Sequence, residues 1–176
     1  VALLSMRLGL EIGYNERRTL ALGFCALMHD LGMLTVPEAV LNSAQRTSEQ
    51  LELLRNHPLA SQKIAQHFGT AFESQKIARH FETAFERIGQ IVAQVHERGD
   101  GSGYPRGLIT GQIHEFARII GLIDRYEAVV YPRPDREGKS AYDALQEVLC
   151  LSTTHFDPRL IKVLVNIVSL GDEPMH

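Results

Sequence analysis

The sequence predicts an all-α protein. Apolar residues recur at helical spacing along most of the chain, as in the stripe Ile88, Ile91, Val92 and Val95. Segments that alternate apolar and polar residues, as half-buried strands do, are nearly absent. Hydrophobic residues make up 44% of the 176 residues, and the mean hydropathy is close to zero, which is typical of a globular chain. We therefore expect one well-buried helical domain over residues 1–176.

The individual helices follow from this periodicity and from residues that begin or end helices. A first helix is expected to end near Gly13, and a second to begin after the N-cap Asn15 and to stop at Gly32. A helix over residues 47–57 opens with the capping-box sequence TSEQ. A short turn of helix and four longer helices complete the prediction, over residues 36–41, 87–98, 113–130, 140–149 and 157–170.

A tandem duplication interrupts this order. SQKIAQHFGTAFE at residues 61–73 is followed at once by SQKIARHFETAFE at 74–86, and eleven of the thirteen positions match. Two copies are too few for a solenoid. In a continuous helix, thirteen extra residues would turn the downstream chain by about 220° and displace it by about 20 Å. The extra copy is therefore expected to loop out or fold back, with a break near Gly69 and Thr70.

Composition and charge exclude several classes of protein. The net charge is −3 and no run of Lys and Arg forms a stripe, which argues against binding to duplex nucleic acid. The longest apolar run, residues 20–28, is too short to cross a membrane, and no signal peptide is evident. Cys25 and Cys150 have apolar neighbours and are expected to be reduced core residues of a cytoplasmic protein. The chain starts within a helical pattern and without Met, so we expect an N-terminally truncated fragment.

Five residues are candidates for a metal site. His29 and Asp30 close an apolar helix, where they could bind a metal or simply cap that helix. Asp124 lies among apolar residues, and a lone buried aspartate costs several kcal/mol unless it is paired or bound to metal. His57 precedes a proline, and by itself it fits a surface histidine before a turn better than a metal ligand. His96 ends the apolar stripe that contains Val95, just before the glycine-rich loop.

Two nucleotide-binding loops can be discarded. EGKS at residues 137–140 resembles the end of a Walker A loop, but Arg133 stands where that motif requires glycine. GSGYPRG at 101–107 lacks the GxGxxG spacing and follows no predicted strand. The remaining histidines are read as solvated or packed side chains: His67, His80, His114, His155 and His176.

The motifs, in their order along the chain, resemble the HD-GYP family. They are HD at 29–30, HP at 57–58, HERGDGSGYPRGL at 96–108, ARIIGLID at 117–124, RPDR at 133–136 and FDPRLIKVLVNIV at 156–168. The resemblance implies an all-α HD fold with two divalent metals, iron or manganese, a choice that suits mixed carboxylate and imidazole ligands. It also implies a phosphodiesterase that hydrolyses cyclic di-GMP to pGpG or GMP in bacterial second-messenger signalling.

The same resemblance implies roles for individual residues. The metal ligands would be His29, Asp30, His57, His96 and Asp124, with Asp30 bridging the two ions. Asp30 and Tyr104 would act in catalysis, and Tyr104, Arg133 and Arg136 would contact the substrate. The implied partners are cyclic di-GMP, an upstream receiver or sensor domain and a diguanylate cyclase-type domain.

Departures from the family pattern leave the activity open. Met33 stands where the family usually has lysine, and Val95 where it usually has the first of two histidines. The duplication also separates two expected ligands. One hypothesis is an active cyclic di-GMP phosphodiesterase, and a second is a degenerate module that binds cyclic di-GMP or a signalling partner without turnover. A third is a phosphohydrolase acting on another nucleotide.

Overall fold

The all-α prediction is confirmed. A computed structural model describes the backbone of residues 1–70, 75–132 and 137–171, and their side chains except at 75–81, 151–153 and 170–171. These ranges contain no β-strand, only an isolated bridge between Asp100 and Ile109. They also contain no helix long and apolar enough to cross a bilayer. The helices are α1 Ala2–Glu11, α2 Glu16–Met28, α3 Glu38–Leu41, α4 Ser48–Arg55, α5 His57–Thr70, α6 Gln75–Val92, α7 Glu115–Val130, α8 Ala141–His155 and α9 Pro158–Gly171.

Capping residues in the sequence predicted two helix starts correctly, but the predicted end of α2 was wrong. The Asn15 side chain accepts the Arg18 backbone N–H at 2.9 Å and caps α2. Thr47 and Gln50 form the predicted capping box of α4. However, α2 ends at Met28, before the predicted stop at Gly32, and a 3₁₀ helix follows over Leu31–Thr35. A Cβ at Gly32 would lie 2.0 Å from the His57 carbonyl oxygen, so this glycine allows α5 to pack closely rather than ending α2.

Helix α7 forms the centre of the core. It packs against α1, α2, α6, α8 and α9, and residues on several of its faces are buried because other helices surround it. Its buried residues are Phe116, Ala117, Ile119, Ile120, Gly121, Leu122, Ile123, Tyr126 and Val129. The long apolar segment therefore spans the core, and Asp124 on this helix is only 18% exposed.

The two copies of the duplication lie in neighbouring helices that pack together, which agrees with a fold-back, one of the two arrangements expected from the sequence. The first copy lies largely in α5 and the second in α6, and the two helices pack in antiparallel fashion. Close to the end of α5, a Cβ at Gly69 would lie 3.1 Å from Glu82 Cα, and close to the end of α6 a Cβ at Gly89 would lie 3.2 Å from the Gln62 carbonyl oxygen. The extra residues thus lengthen this antiparallel helix pair. The start of α5 and the end of α6 still lie close together.

The prediction that both cysteines are core residues is wrong for Cys150. Cys25 is buried, but Cys150 is exposed on α8, and both are free thiols. Helix α8 buries a stripe that contains Ala144, Leu145 and Val148. Cys150 lies off that stripe because sequence neighbours on a helix point to different sides.

Candidate metal centre

Four helices bring the five predicted ligands together. His29 and Asp30 directly follow α2, and His57 is the first residue of α5. His96 follows α6, and Asp124 lies on α7. Their potential ligand atoms form two groups, each within 4.8 Å: Asp30 with His57 and His96, and Asp30 with His29 and Asp124. Asp30 is thus common to two adjacent three-ligand groups.

Backbone carbonyls orient two of the histidine rings. Nδ1 of His29 lies 2.7 Å from the Ala26 carbonyl oxygen, and Nδ1 of His57 lies 2.6 Å from that of Leu54. An Nδ1–H that donates to a carbonyl leaves the Nε2 lone pair of a neutral ring free. Both Nε2 atoms face the carboxylates, which is the arrangement that metal-binding histidines generally show.

Ser61 fixes the distance between α2 and α5. Its hydroxyl donates to the His29 carbonyl at 2.6 Å and accepts the Gly32 N–H at 2.7 Å. The serine is completely buried. No sequence motif indicated this role of Ser61, which is the first residue of the first repeat copy. The site therefore uses the first copy of the duplication, in the same part of α5 that carries His57.

The His29 ring is held between two carboxylates. Its Nε2 lies 3.2 Å from Asp30 Oδ2 and 3.9 Å from Asp124 Oδ1. Burial alone would lower the pKa of His29, but the negatively charged carboxylates of Asp124 and Asp30 close to its ring outweigh it and raise the pKa to about 10. The same histidine holds the pKa of Asp124 below its ordinary value, against the effect of burial. The carboxylates thus favour a positive charge at this point.

His57 and His96 form the second half of the site. Their Nε2 atoms are 3.0 Å apart, about the spacing of neighbouring ligands bound to one ion at about 2.1 Å each. Burial lowers the pKa of His96 to about 4, so its ring is neutral at physiological pH. Burial would raise the pKa of Asp30, but the two histidines His29 and His57 hold it well below its ordinary value.

The donor set fits divalent cations. His29 Nε2 is buried and lacks a hydrogen bond of acceptable geometry among the described residues, although two carboxylates lie close to it. A buried polar atom without a partner is costly, and a cation between imidazole and carboxylate satisfies both. Imidazole nitrogens with carboxylate oxygens suit iron, manganese or zinc.

The glycine-rich loop is fastened beside this cluster by Glu97. This side chain is 4% exposed, and its two oxygens accept the backbone N–H groups of Arg106 and Leu108, each at 2.8 Å. A Cβ at Gly103 would lie 2.4 Å from Glu97 Cα, so only glycine fits there. The loop thereby stacks the Tyr104 ring on His96, with centroids 5.0 Å apart and planes 8° apart.

A cleft of about 350 Å³ opens over the cluster. Three arginines that the sequence analysis did not single out line it: Arg55, Arg98 and Arg125. Each lies within two residues of a predicted ligand in the sequence. This proximity could have identified the three arginines as residues of the cleft. The further lining residues are Asp30, Met33, Leu51, Leu54, His57, His96, Tyr104, Asp124 and Ala128. Arg133 and Arg136, predicted to contact the substrate, lie outside the described residues.

The two departures from the family pattern lie in different environments. Met33 lines the cleft, so the position usually held by lysine contributes a thioether there. Val95 is 1% exposed and packs into the main apolar core. Its side chain therefore lies away from the cleft, and the five ligand residues come together without it.

Comparison with known proteins agrees with this architecture. A family model described as HD domain matches residues 1–160. The chain belongs to the HD-domain family. Its predicted resemblance to HD-GYP proteins is confirmed by this family match together with curated relatives named cyclic di-GMP phosphodiesterases. The fold is also similar to the solved structure of an HDG"Y"P protein from Bdellovibrio bacteriovorus. That match has a TM-score of 0.72 and 20% identity over 96% of this chain and 50% of the other.

Curated relatives of this HD-domain chain carry phosphodiesterase names. Cyclic di-GMP phosphodiesterase PdeB of Borreliella burgdorferi is 29% identical over 96% of the chain and 41% of the relative. The 3'3'-cGAMP-specific phosphodiesterase 1 of Vibrio cholerae is 32% identical over 85% of the chain and 33% of the relative. The HD-domain chain thus spans about two fifths or less of the length of these proteins.

Proposed function

We propose that this HD domain is a metal-dependent phosphodiesterase that hydrolyses cyclic di-GMP to pGpG or GMP in bacterial second-messenger signalling. The observation that carries the proposal is the pair of three-ligand groups that share Asp30. Two neighbouring cations beside an open cleft suit the hydrolysis of a phosphodiester. The names of the curated relatives support the substrate class.

In this proposal His29, Asp30 and Asp124 hold one cation, and Asp30, His57 and His96 hold the other. Two such cations, when bound, polarise a phosphate oxygen and lower the pKa of a water molecule. The backbone carbonyls behind His29 and His57 keep these rings in the required tautomer and orientation. Neutral His96 has its lone pair available, because burial keeps its pKa low.

The arginines of the cleft provide the complementary charge for a dianionic substrate. Arg98 is fixed by hydrogen bonds from its Nη1 to the carbonyls of Val95 at 3.2 Å and Glu97 at 2.8 Å. Arg125 is oriented by its ion pair with Glu147. Arg55 lies with its guanidinium carbon 6.0 Å from the centre of the Tyr104 ring. A guanidinium binds phosphate oxygens in a planar, two-pronged geometry, and the three arginines place cations in the cleft that Met33 also lines.

The direct test measures metal content and product with the purified protein. We expect about two equivalents of iron or manganese by mass spectrometry and conversion of cyclic di-GMP to pGpG by liquid chromatography. Asp30→Asn should lower both, since it weakens both groups at once, whereas the exposed control Asp143→Asn should lower neither. Less than one equivalent of metal together with no product would refute the phosphodiesterase assignment.

Two results would direct the assignment to an alternative. The relative named for 3'3'-cGAMP favours a parallel assay with that dinucleotide, and faster turnover of 3'3'-cGAMP would change the substrate within the same reaction class. Binding of cyclic di-GMP without product would instead support a module that senses the nucleotide. Met33 motivates this second alternative, because it removes a cation from the cleft.

A further inference from the structure

Helix α4 presents one of its sides to the cleft. Leu51, Leu54 and Arg55 line the cleft and follow the i, i+3, i+4 spacing that places residues on one face of a helix. These three residues are called here the α4 wall. Leu53, on the same helix, is not among the described residues that line the cleft, whereas Met33 of the preceding 3₁₀ helix is.

The α4 wall carries apolar surface that the rest of the protein does not cover. No residue of α4 is buried, and Leu51 is 45% exposed although it lies in a cleft. Most of the other described residues that line the cleft are charged groups or candidate metal ligands. Covering an apolar side chain in such a place with an apolar part of a ligand removes it from water and stabilises the complex.

A hydrogen bond fixes the α4 wall relative to the candidate metal centre. The Leu54 carbonyl oxygen accepts the Nδ1–H of His57 at 2.6 Å. The residue whose side chain lines the cleft therefore also orients one of the candidate ligands. A ligand group that packs on the α4 wall thus lies beside a phosphate bound at the metal centre.

Arg55 differs from the other two arginines of the cleft in its contacts. Arg98 is held by two backbone carbonyl oxygens, and Arg125 by Glu147. Within the part of the chain that the structure describes, the Arg55 side chain makes no hydrogen bond or ion pair. Its guanidinium carbon lies 6.0 Å from the centre of the Tyr104 ring, which is the outer limit of a cation–π contact. The N–H donors of Arg55 are thus available to a ligand.

A guanine base matches both parts of the α4 wall. The flat faces of the bases are the largest apolar surfaces of a cyclic dinucleotide, and leucine and methionine side chains pack well against aromatic rings. The O6 and N7 atoms of guanine accept two hydrogen bonds from one guanidinium, whereas adenine carries an amino donor in place of O6. The α4 wall therefore fits guanine better than adenine.

We propose that the α4 wall binds one guanine base of the substrate, with the base packed against Leu51 and Leu54 and its O6 and N7 atoms bound by Arg55. Met33 adds a further apolar contact from the 3₁₀ helix. This inference rests on the proposed function, because the base belongs to the dinucleotide whose phosphate the metal centre would bind. It names the residues that select among cyclic dinucleotides.

Calorimetric titration of the purified protein tests the α4 wall without relying on turnover. The probes are the hydrolysis-resistant phosphorothioate analogues of cyclic di-GMP and cyclic di-AMP. We expect Leu51→Ser to weaken the binding of both analogues about fivefold, because it removes apolar contact with the base. Leu53→Ser is the matched control, since Leu53 is 40% exposed on the same helix but outside the cleft. It should leave both dissociation constants unchanged.

Arg55→Met tests the recognition of the base edge. It should weaken binding of the cyclic di-GMP analogue roughly tenfold and that of the cyclic di-AMP analogue less than about threefold. Arg17→Met controls for the loss of one positive charge, since Arg17 is exposed and lies outside the cleft. A wild type that binds both analogues equally, or neither, would overturn the proposal. Unchanged binding in Leu51→Ser would also overturn it, as would an equal loss for both analogues in Arg55→Met.

The guanine site and the proposed reaction can fail separately. Selective binding of the cyclic di-GMP analogue, with no product formed from cyclic di-GMP itself, would support the guanine site and refute the reaction. Hydrolysis of cyclic di-GMP with an unchanged KM in both Leu51→Ser and Arg55→Met would overturn the guanine site and leave the reaction in place.

Discussion

Replacing Glu97 by glutamine should detach the glycine-rich loop from the metal centre. The carboxylate accepts two backbone N–H groups at 2.8 Å and is almost fully buried. Glutamine keeps one oxygen that can accept a hydrogen bond, but its NH₂ group then faces the backbone N–H of Arg106 or Leu108. Two donors face each other there, so that backbone N–H loses its acceptor. A hydrogen bond to a charged group contributes about 1.5–3 kcal/mol, and a buried donor without a partner costs about 1–3 kcal/mol.

Together these effects predict that Glu97→Gln lowers the free energy of unfolding by about 2–4 kcal/mol. Equilibrium unfolding in urea measures this quantity, and Glu52→Gln on the exposed side of α4 is the control. Hydrogen exchange should report the loop directly. A loss of about 2 kcal/mol in local stability corresponds to roughly thirty-fold faster exchange at the amides of Arg106 and Leu108.

The expected loss of catalysis follows from the position of Tyr104. This ring stacks on His96 only while the loop is held, so the variant should also hydrolyse cyclic di-GMP more slowly in the proposed reaction. An unfolding free energy within about 0.5 kcal/mol of the wild type, with unchanged exchange at both amides, would refute the role assigned to Glu97.

Three further outcomes are expected. Val95→His should destabilise the protein by about 2–4 kcal/mol and leave its metal content unchanged, because position 95 faces the apolar core; an added equivalent of metal would contradict this. Gly121→Ala should cost about 1–3 kcal/mol in urea unfolding, since its Cβ would lie 2.3 Å from a backbone carbonyl, whereas Gly111→Ala meets nothing within 4 Å and should be neutral. Burial raises the pKa of Cys25 from 9.0 to about 12. Above pH 9 only the unfolded chain ionises there, so unfolding free energy should fall by about 1.5 kcal/mol between pH 8 and 10, a loss that Cys25→Ala should abolish.

Local sequence signals predicted what depends on neighbours along the chain. Asn15 and the box at Thr47 marked helix starts because capping involves residues two or three positions apart. The repeat predicted that the extra copy loops out or folds back, because thirteen more residues in one continuous helix would rotate and displace the downstream chain. Asp124 was identified because an isolated carboxylate in an apolar helix requires a partner.

Other features depend on contacts between distant segments, which sequence spacing does not encode. Ser61 links His29 to α5 across 32 positions of the chain. Gly32 resembled a helix stop, but the tight approach of His57 is what requires it. Cys150 resembled a core residue because its sequence neighbours are apolar, yet the packing of α8 leaves it exposed.

The sequence by itself determined the helical class, the family resemblance and the identity of the five candidate ligands, because periodicity and motif residues are properties of the chain alone. Only the tertiary structure decided that three arginines line the cleft and that Val95 faces the core. It also brought Asp30, which the resemblance had implied as the bridging ligand, within reach of both ligand groups. These are relations between helices, fixed by how their side chains pack. Both kinds of information meet in the segment QVHERGDGSGYPRG at residues 94–107. Its motif residues indicate the family, and the hydrogen bonds of Glu97 hold the loop beside the candidate metal centre.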